Sequence, residues 1–126
     1  MTIMNSSRMM CAGAGLAGLA VAAGAFGAHL LKPVLDTAML GVFETAVRYQ
    51  MYHALGLCIV AGMGERDQRL PIVGWLFVVG IVLFSGSLYL LSLSGIRWVG
   101  ALTPLGGAAF MAGWAVLAWT VVKQRN

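Results

Sequence analysis

The sequence predicts an all-α integral membrane protein, a four-helix antiparallel bundle that crosses a lipid bilayer. Three observations predict this fold class. Hydrophobic residues make up 60% of the 126 residues and charged residues only 10%, which leaves too little polar surface to cover a soluble domain of this length. The mean hydropathy is +0.89. Four apolar runs each approach the roughly 20 residues that a helix needs to span the hydrocarbon core.

The apolar runs predict helices and not the strands of a membrane barrel. They are continuously apolar and lack a two-residue alternation, and backbone groups in hydrocarbon must be paired within the protein. The connections at 64–69 and 94–98 are short, so neighbouring helices should be antiparallel. We expect one transmembrane domain over residues 1–126, with helices at about 9–29, 43–63, 70–92 and 98–122.

Small residues recur at four-residue spacing in helix 1. Gly18 and Gly24 belong to two such series, which let another backbone approach closely. Residues 13–18 also match the GxGxxG pattern, but the strand and the acidic residue that a dinucleotide fold requires do not accompany it. The run is longer than the apolar core of a signal peptide. We therefore expect a retained helix whose small-residue face packs against protein and would form the contact between copies in any homo-oligomer.

Residues 31–42 predict an amphipathic segment that lies at the outer membrane interface. Pro33 can begin a helix, and Leu31, Val34 and Leu35 share one face of it. Such a segment would lie flat between helix 1 and helix 2.

Helix 2 breaks the apolar pattern. Its clearly apolar part, 51–63, is too short to span a bilayer, so the crossing must begin near Glu44. Glu44 and Arg48 are spaced to form an ion pair. Ionisable groups in hydrocarbon are costly, so the polar face must meet protein or a hydrated pocket. At 100° per residue, that face carries Thr45, Tyr49, Tyr52 and His53, and the opposite face, with Phe43, Val47, Ala54 and Cys58, suits lipid.

Polar residues of the other helices reach the same outer half of the bundle. His29 ends helix 1, and Ser85 and Tyr89 lie on one face of helix 3. Thr103 begins helix 4. Helix packing there should depend on a proline kink and on glycines, namely Pro104, Gly106 and Gly107. The predicted ligand-binding site consists of His29, Thr45, Tyr49, Tyr52, His53, Ser85, Tyr89 and Thr103.

Three interpretations of these residues remain open. The first is a pocket for a lipid, a small solute or a proton, in a monomer or a homo-oligomer. The second is a structural or assembly role beside a heterologous membrane partner, in which the polar side chains only hydrogen-bond between helices. The third and weakest is an enzyme, since no nucleophile or paired carboxylates accompany the site.

The sequence indicates no cofactor, no metal and no nucleic-acid partner. His29 and His53 lie at different depths in their helices, which does not suit two axial ligands of one haem. The formal charge of +4 is spread over the loops. Because basic residues favour the cytoplasmic side, both termini are expected there, with Arg8, Arg66, Arg69, Lys123 and Arg125 inside and Lys32, Arg48 and Arg97 opposite.

Four ordered motifs resemble a known family. They are Gly24-Ala-Phe-Gly-Ala-His29, Thr45-x-x-x-Tyr49-Gln-x-x-His53-Ala-Leu55, Leu83-Phe-Ser-Gly-Ser-Leu-Tyr89 and Thr103-Pro-x-Gly-Gly107 with Gly113-Trp114. In these motifs, over nearly its whole length, the chain resembles the small YgdD/YwdK-type inner-membrane proteins, a family named as a domain of unknown function. The resemblance implies four membrane helices in a bacterial cytoplasmic membrane, and it implies no particular activity, substrate or catalytic residue.

Overall fold

The computed structural model describes residues 4–126 and consists of four helices, which confirms the predicted all-α fold. They are α1, Ser6–Leu31; α2, Thr37–Gly62; α3, Leu70–Ser94; and α4, Arg97–Arg125. No strand occurs in this part of the chain. By length and composition, α1, α3 and α4 are each able to cross a membrane. The fourth helix, α2, is as long as the others but carries the polar residues noted above.

Helix α2 begins earlier than the sequence suggested. Asp36 caps it, because its carboxylate accepts a hydrogen bond from the backbone N–H of Met39 at 2.7 Å. Such a cap satisfies one of the unpaired N–H groups of the first turn. Residues 37–42, expected within a separate interfacial segment, therefore belong to α2. Only the turn after α1 separates the two helices.

Two glycines allow the helices to pack backbone against backbone. A Cβ on Gly13 of α1 would lie 2.8 Å from the carbonyl oxygen of Ala54 in α2. A Cβ on Gly106 of α4 would lie 2.3 Å from the backbone nitrogen of Phe84 in α3. These contacts join α1 to α2 and α3 to α4, the two most extensive helix pairs.

The aromatic ring of Phe77 fills the space among α2, α3 and α4. It lies fully buried between Gly56 and Gly113, where an added Cβ would approach the ring to 2.9 Å and 2.6 Å. This side chain of α3 therefore contacts both α2 and α4.

Helix α3 contains a π-turn at Ile81–Ser85, in which the N–H of Gly86 bonds to the carbonyl of Ile81. The wider turn lies at the level where Phe84 packs on Gly106 and where the Ser85 side chain reaches α2. Single π-turns inside α-helices occur frequently at functional sites. A second π-turn, Gly27–Leu31, ends α1.

The connection between α2 and α3 is fixed by an ion pair at the end of the bundle that holds both termini. Asp67 accepts hydrogen bonds from the backbone N–H, Nε and Nη2 of Arg69, at 2.8, 2.9 and 2.8 Å. The Arg69 guanidinium also lies 5.0 Å from the ring centroid of Trp119 in α4. These hydrogen bonds from Arg69 lower the pKa of Asp67 to about 2.

Candidate functional site

Gln50 connects three helices in the middle of the bundle. Its Oε1 accepts a hydrogen bond from the Tyr89 hydroxyl of α3 at 2.7 Å. Its Nε2 donates to the carbonyl oxygen of Leu16 in α1 at 2.8 Å. The side chain is only 5% exposed. Sequence reasoning quoted Gln50 within a motif but did not place it in the site, although an amide deep in an apolar helix is itself a signal of an interhelical contact.

The His53 imidazole uses both of its ring nitrogens inside the protein. Nδ1 lies 2.8 Å from the Tyr49 carbonyl oxygen, which can only accept, so Nδ1 carries the hydrogen. Nε2 then accepts from the indole N–H of Trp114 at 2.9 Å. The ring stacks on Phe110 with centroids 3.5 Å apart. This arrangement describes a neutral imidazole with no lone pair left for a metal.

Two hydroxyl groups predicted for the site bond across helix interfaces. Ser85 is fully buried and donates to the carbonyl oxygen of Ala46 in α2 at 2.7 Å. Thr103 Oγ1 lies 2.6 Å from Ser87 Oγ, which connects the start of α4 to α3. Their hydrogen-bonding capacity is directed at neighbouring helices and not at a cavity.

Two of the remaining predicted residues lie apart, since His29 is exposed in the last turn of α1 and Tyr52 is 52% exposed. Thr45 donates to the Gly41 carbonyl of its own helix. Tyr49 is 37% exposed, but its ring packs on Phe84 with centroids 4.5 Å apart and lies beside the His53 ring at 6.2 Å. The eight residues therefore do not line one pocket, and aromatic side chains fill the space among α2, α3 and α4, chiefly Phe77, Phe84, Phe110 and Trp114.

The expected ion pair between Glu44 and Arg48 is not formed. Arg48 Nη2 instead lies 3.2 Å from Thr45 Oγ1, and the ion pair found within residues 4–126 joins Asp67 and Arg69. Both Glu44 and Arg48 are exposed on α2.

The expected lipid-facing side of α2 is turned inward. Phe43 and Ala54 are buried, because the ring of Phe43 packs on Gly27 and the backbone at Ala54 meets Gly13. The glycines of α1 thus select this face of α2, and the face that carries Glu44 and Arg48 points outward.

The packing-residue predictions fall in different surroundings. Gly106 lies directly against Phe84, but the nearest atom to a Cβ on Gly107 would be 3.9 Å away and Pro104 is exposed. A Cβ on Gly24 would make an ordinary 3.5 Å contact with Val47. A Cβ on Gly18 would meet no described atom within 4 Å beyond the neighbouring backbone of α1.

An open groove lies between α1 and α3, in the half of the bundle away from both termini, with α2 as its floor. Helices α1 and α3 are in contact near the termini, where Met9 packs on Gly74. The groove lies farther along the bundle, where α1 and α3 separate. It has a volume of about 630 Å³ and is lined by Leu16, Leu19, Ala22, Ala23, Phe26, Phe43, Gln50, Tyr89 and Leu93. Gln50 and Tyr89 are its two polar lining residues.

The polar pair in the groove keeps part of its hydrogen-bonding capacity. An amide side chain has two N–H donors and two acceptor lone pairs, and a tyrosine hydroxyl can both donate and accept. Within residues 4–126, Gln50 makes one bond of each kind and Tyr89 only donates. The groove can therefore offer both a donor and an acceptor to a bound molecule.

A second cavity, of about 620 Å³, lies at the opposite end of the bundle. The start of α1 and the α2–α3 connection line it, including Arg8, Glu65 and Asp67. Charges of both signs are present there, and no sequence pattern predicted this cavity.

Comparison with known proteins identifies the relatives of this chain. The family model described as "Protein of unknown function (DUF423)" matches residues 23–107, a range that includes every residue of the predicted ligand-binding site. The chain is 49% identical over 108 residues to the UPF0382 membrane protein YwdK of Bacillus subtilis, covering 83% of this chain and 88% of that protein.

Two further relatives come from other bacteria. The UPF0382 inner membrane protein YgdD of Escherichia coli is 40% identical over 128 residues, covering 96% of this chain and 95% of its own length. A UPF0382 membrane protein of Haemophilus influenzae is 39% identical over 109 residues, covering 84% and 86%. No solved structure matches the chain significantly.

Proposed function

The chain belongs to the DUF423 family of membrane proteins, and we propose that it binds a lipid in the groove between α1 and α3. In this proposal the protein is a multi-pass component of the bacterial cytoplasmic membrane. The ligand is an amphiphile whose apolar chain lies along the groove and whose carbonyl or hydroxyl group bonds to Gln50 and Tyr89.

The basic residues support an orientation with both termini in the cytoplasm. The antiparallel helices bring Arg8, Arg66, Arg69, Lys123 and Arg125 to one end of the bundle. Lys32 and Arg97 lie at the other end. Because lysine and arginine accumulate on the cytoplasmic side, this difference supports an orientation in which the groove lies in the periplasmic half of the membrane.

The observation that carries the proposal is the lining of the groove. Seven of its nine lining residues are apolar, and the two polar ones, Gln50 and Tyr89, lie together. Ligand sites are mostly apolar, with a small number of polar groups that fix orientation. A groove that opens sideways from a membrane bundle faces acyl chains, so a lipid can enter it from the bilayer.

The test is photo-crosslinking with a phosphatidylethanolamine whose acyl chain carries a diazirine, using the protein in liposomes. We expect adducts to concentrate on α1 between Leu16 and Phe26. The variant Ala22→Leu, which places a larger side chain in the groove, should reduce these adducts several-fold. Mass spectrometry of the labelled peptides provides the measurement.

Ala115→Leu is the matched control, because Ala115 is exposed on α4 and away from the groove. It should leave labelling unchanged. Labelling of the groove at the same yield as the exposed surface around Met111 of α4, together with no effect of Ala22→Leu, would contradict the proposal.

A second candidate function is an assembly role beside a different membrane protein. It is favoured by the outward face of α1. A Cβ added to Gly15 or Gly18 would meet no described atom within 4 Å beyond the neighbouring backbone of α1. Such small residues allow another helix to approach closely. Cysteine crosslinking from Gly18→Cys in native membranes separates the two functions. A single crosslinked product with another protein, lost when Gly15→Leu is added, favours assembly over lipid binding.

A further inference from the structure

A continuous stripe of α2, including both of its charged residues, lies outside the bundle. We call it the charged face, and it consists of Glu44, Arg48, Tyr52, Leu55 and Ile59, all exposed. At 100° per residue these side chains fall within an arc of about 80°. The groove-lining residues of α2, Phe43 and Gln50, lie about 150° away around the helix.

The charged face lies deep in the proposed membrane span. The midpoint of Thr37–Gly62 falls between Tyr49 and Gln50. At a rise of 1.5 Å per residue, Arg48 is about 2 Å and Glu44 about 8 Å from that midpoint. The hydrocarbon core extends about 15 Å on each side of its centre. In a bundle whose α2 midpoint lies at the centre of the bilayer, both charges are therefore within the hydrocarbon core.

Within residues 4–126, no opposite charge forms an ion pair with Glu44 or Arg48. The guanidinium of Arg48 has five N–H donors, and its hydrogen bond found in residues 4–126 goes to the Thr45 hydroxyl. No ion pair joins Glu44 to a described residue. A charge facing lipid near the bilayer centre costs several kcal/mol, and such residues nearly always face protein or water.

We propose that the charged face is the interface between two copies of this chain. Two α2 helices related by a twofold axis normal to the membrane would place Glu44 of one copy near Arg48 of the other, twice. Within each pair, Glu44 and Arg48 differ in height by four residues, about 6 Å. Their long side chains can bridge this distance. A face that carries one acid and one base is complementary to itself, as a twofold interface requires.

This interface is independent of lipid binding in the groove. It uses the opposite side of α2, so the groove between α1 and α3 remains open in the dimer. It also differs from the expectation that the small-residue face of helix 1 would form any homo-oligomer contact. The apolar part of the interface comes from Leu55 and Ile59.

The test uses two charge variants, Glu44→Arg and Arg48→Glu, and the native chain, each prepared with a donor fluorophore and, separately, with an acceptor fluorophore, and reconstituted in liposomes. Energy transfer reports association. Each variant alone carries two like charges on the face, so its homodimer should lose at least tenfold in association relative to the native chain. Mixed together, the two variants place opposite charges across the interface and should associate as the native chain does.

The mixture distinguishes a contact between copies from one within a chain, since each variant chain carries charges of only one sign on the face. Its recovery also shows that both variants fold. Arg97→Glu is the matched control, because Arg97 is the exposed first residue of α4 and lies outside the charged face. This substitution should not affect association.

Three results would overturn the proposal. They are a monomeric native chain, single variants that associate as the native chain does, and a mixture that fails to recover. A second measurement is disulfide crosslinking of Leu55→Cys in a chain with Cys11→Ala and Cys58→Ala. It should give a dimer of the chain, and an adduct with a different protein instead would also overturn the proposal.

Discussion

The His53 side chain illustrates how a polar group is accommodated inside this bundle. Its two nitrogens are paired with the Tyr49 carbonyl and the Trp114 indole, and its ring packs between aromatic side chains. The Gln50 side chain is likewise paired inside the protein, with one hydrogen bond to α1 and one to α3. Polar residues at these positions hold helices together because the surrounding lipid offers no alternative partner.

The bond between His53 and Trp114 can be measured with a double-mutant cycle of His53→Phe and Trp114→Phe. We expect a coupling free energy of about 0.6 kcal/mol, the average for interhelical hydrogen bonds in membranes, whose largest measured values are about 1.7 kcal/mol. Unfolding in mixed micelles of increasing SDS content gives the free energies. Tyr52→Phe is the control, because Tyr52 is half exposed, and a coupling of zero would contradict the assigned bond.

The ion pair at Asp67 predicts a pH dependence of stability. Its pKa in the folded protein is about 2, below the ordinary value of 3.8. The folded state therefore binds the Asp67 proton less readily than the unfolded state does. The contribution of Asp67 is complete above about pH 5 and is lost as the pH falls from 4 towards 2.

The measurement is the SDS unfolding midpoint between pH 6 and pH 3 for the native chain and for Asp67→Asn. The native midpoint should decrease more steeply with falling pH than that of the variant. Parallel curves would show that Asp67 does not contribute in this way.

Helix α2 contacts all three other helices. It packs against α1 and α3, and side chains of α4 reach it through His53 and Gly56. These contacts accommodate its buried polar residues, Gln50 and His53, while its charged face stays outside the bundle. The four apolar runs were enough to predict the helices themselves, since length and hydropathy decide which segments span a bilayer.

The orientation of α2 around its axis could not be predicted from its own residues. Both faces mix polar and apolar side chains, so periodicity favoured turning Tyr49 and Tyr52 inward. The deciding contacts are glycines of another helix, Gly13 and Gly27 of α1, which admit Ala54 and Phe43. Such contacts depend on the three-dimensional match of two helices and leave no signal in a single segment.

The crossing of α3 and α4 predicts different effects for two adjacent glycines. Gly106→Ala places a methyl group 2.3 Å from the backbone nitrogen of Phe84, and a backbone cannot rotate away as a side chain can. We expect a loss of about 1–3 kcal/mol, the usual cost of overpacking. Gly107→Ala, with its nearest atom at 3.9 Å, should not destabilise the protein, and equal losses in SDS unfolding would contradict the described crossing.

The whole molecule divides into two halves with different chemistry. Most basic residues and the Asp67–Arg69 ion pair lie at the end with both termini. The groove, with Gln50 and Tyr89 at its floor, belongs to the other half. Sequence reasoning placed a site in that half because polar residues of all four helices reach it. It did not identify the groove, which arises from the separation of α1 and α3 beyond Met9 and Gly74.

The most direct test of lipid binding is a cryo-electron microscopy structure of the protein in a nanodisc of bacterial phospholipids. We expect elongated density along the groove, with a polar group of the ligand within hydrogen-bonding distance of Gln50 or Tyr89. A groove closed by the approach of α1 to α3, or filled by protein side chains, would contradict the account.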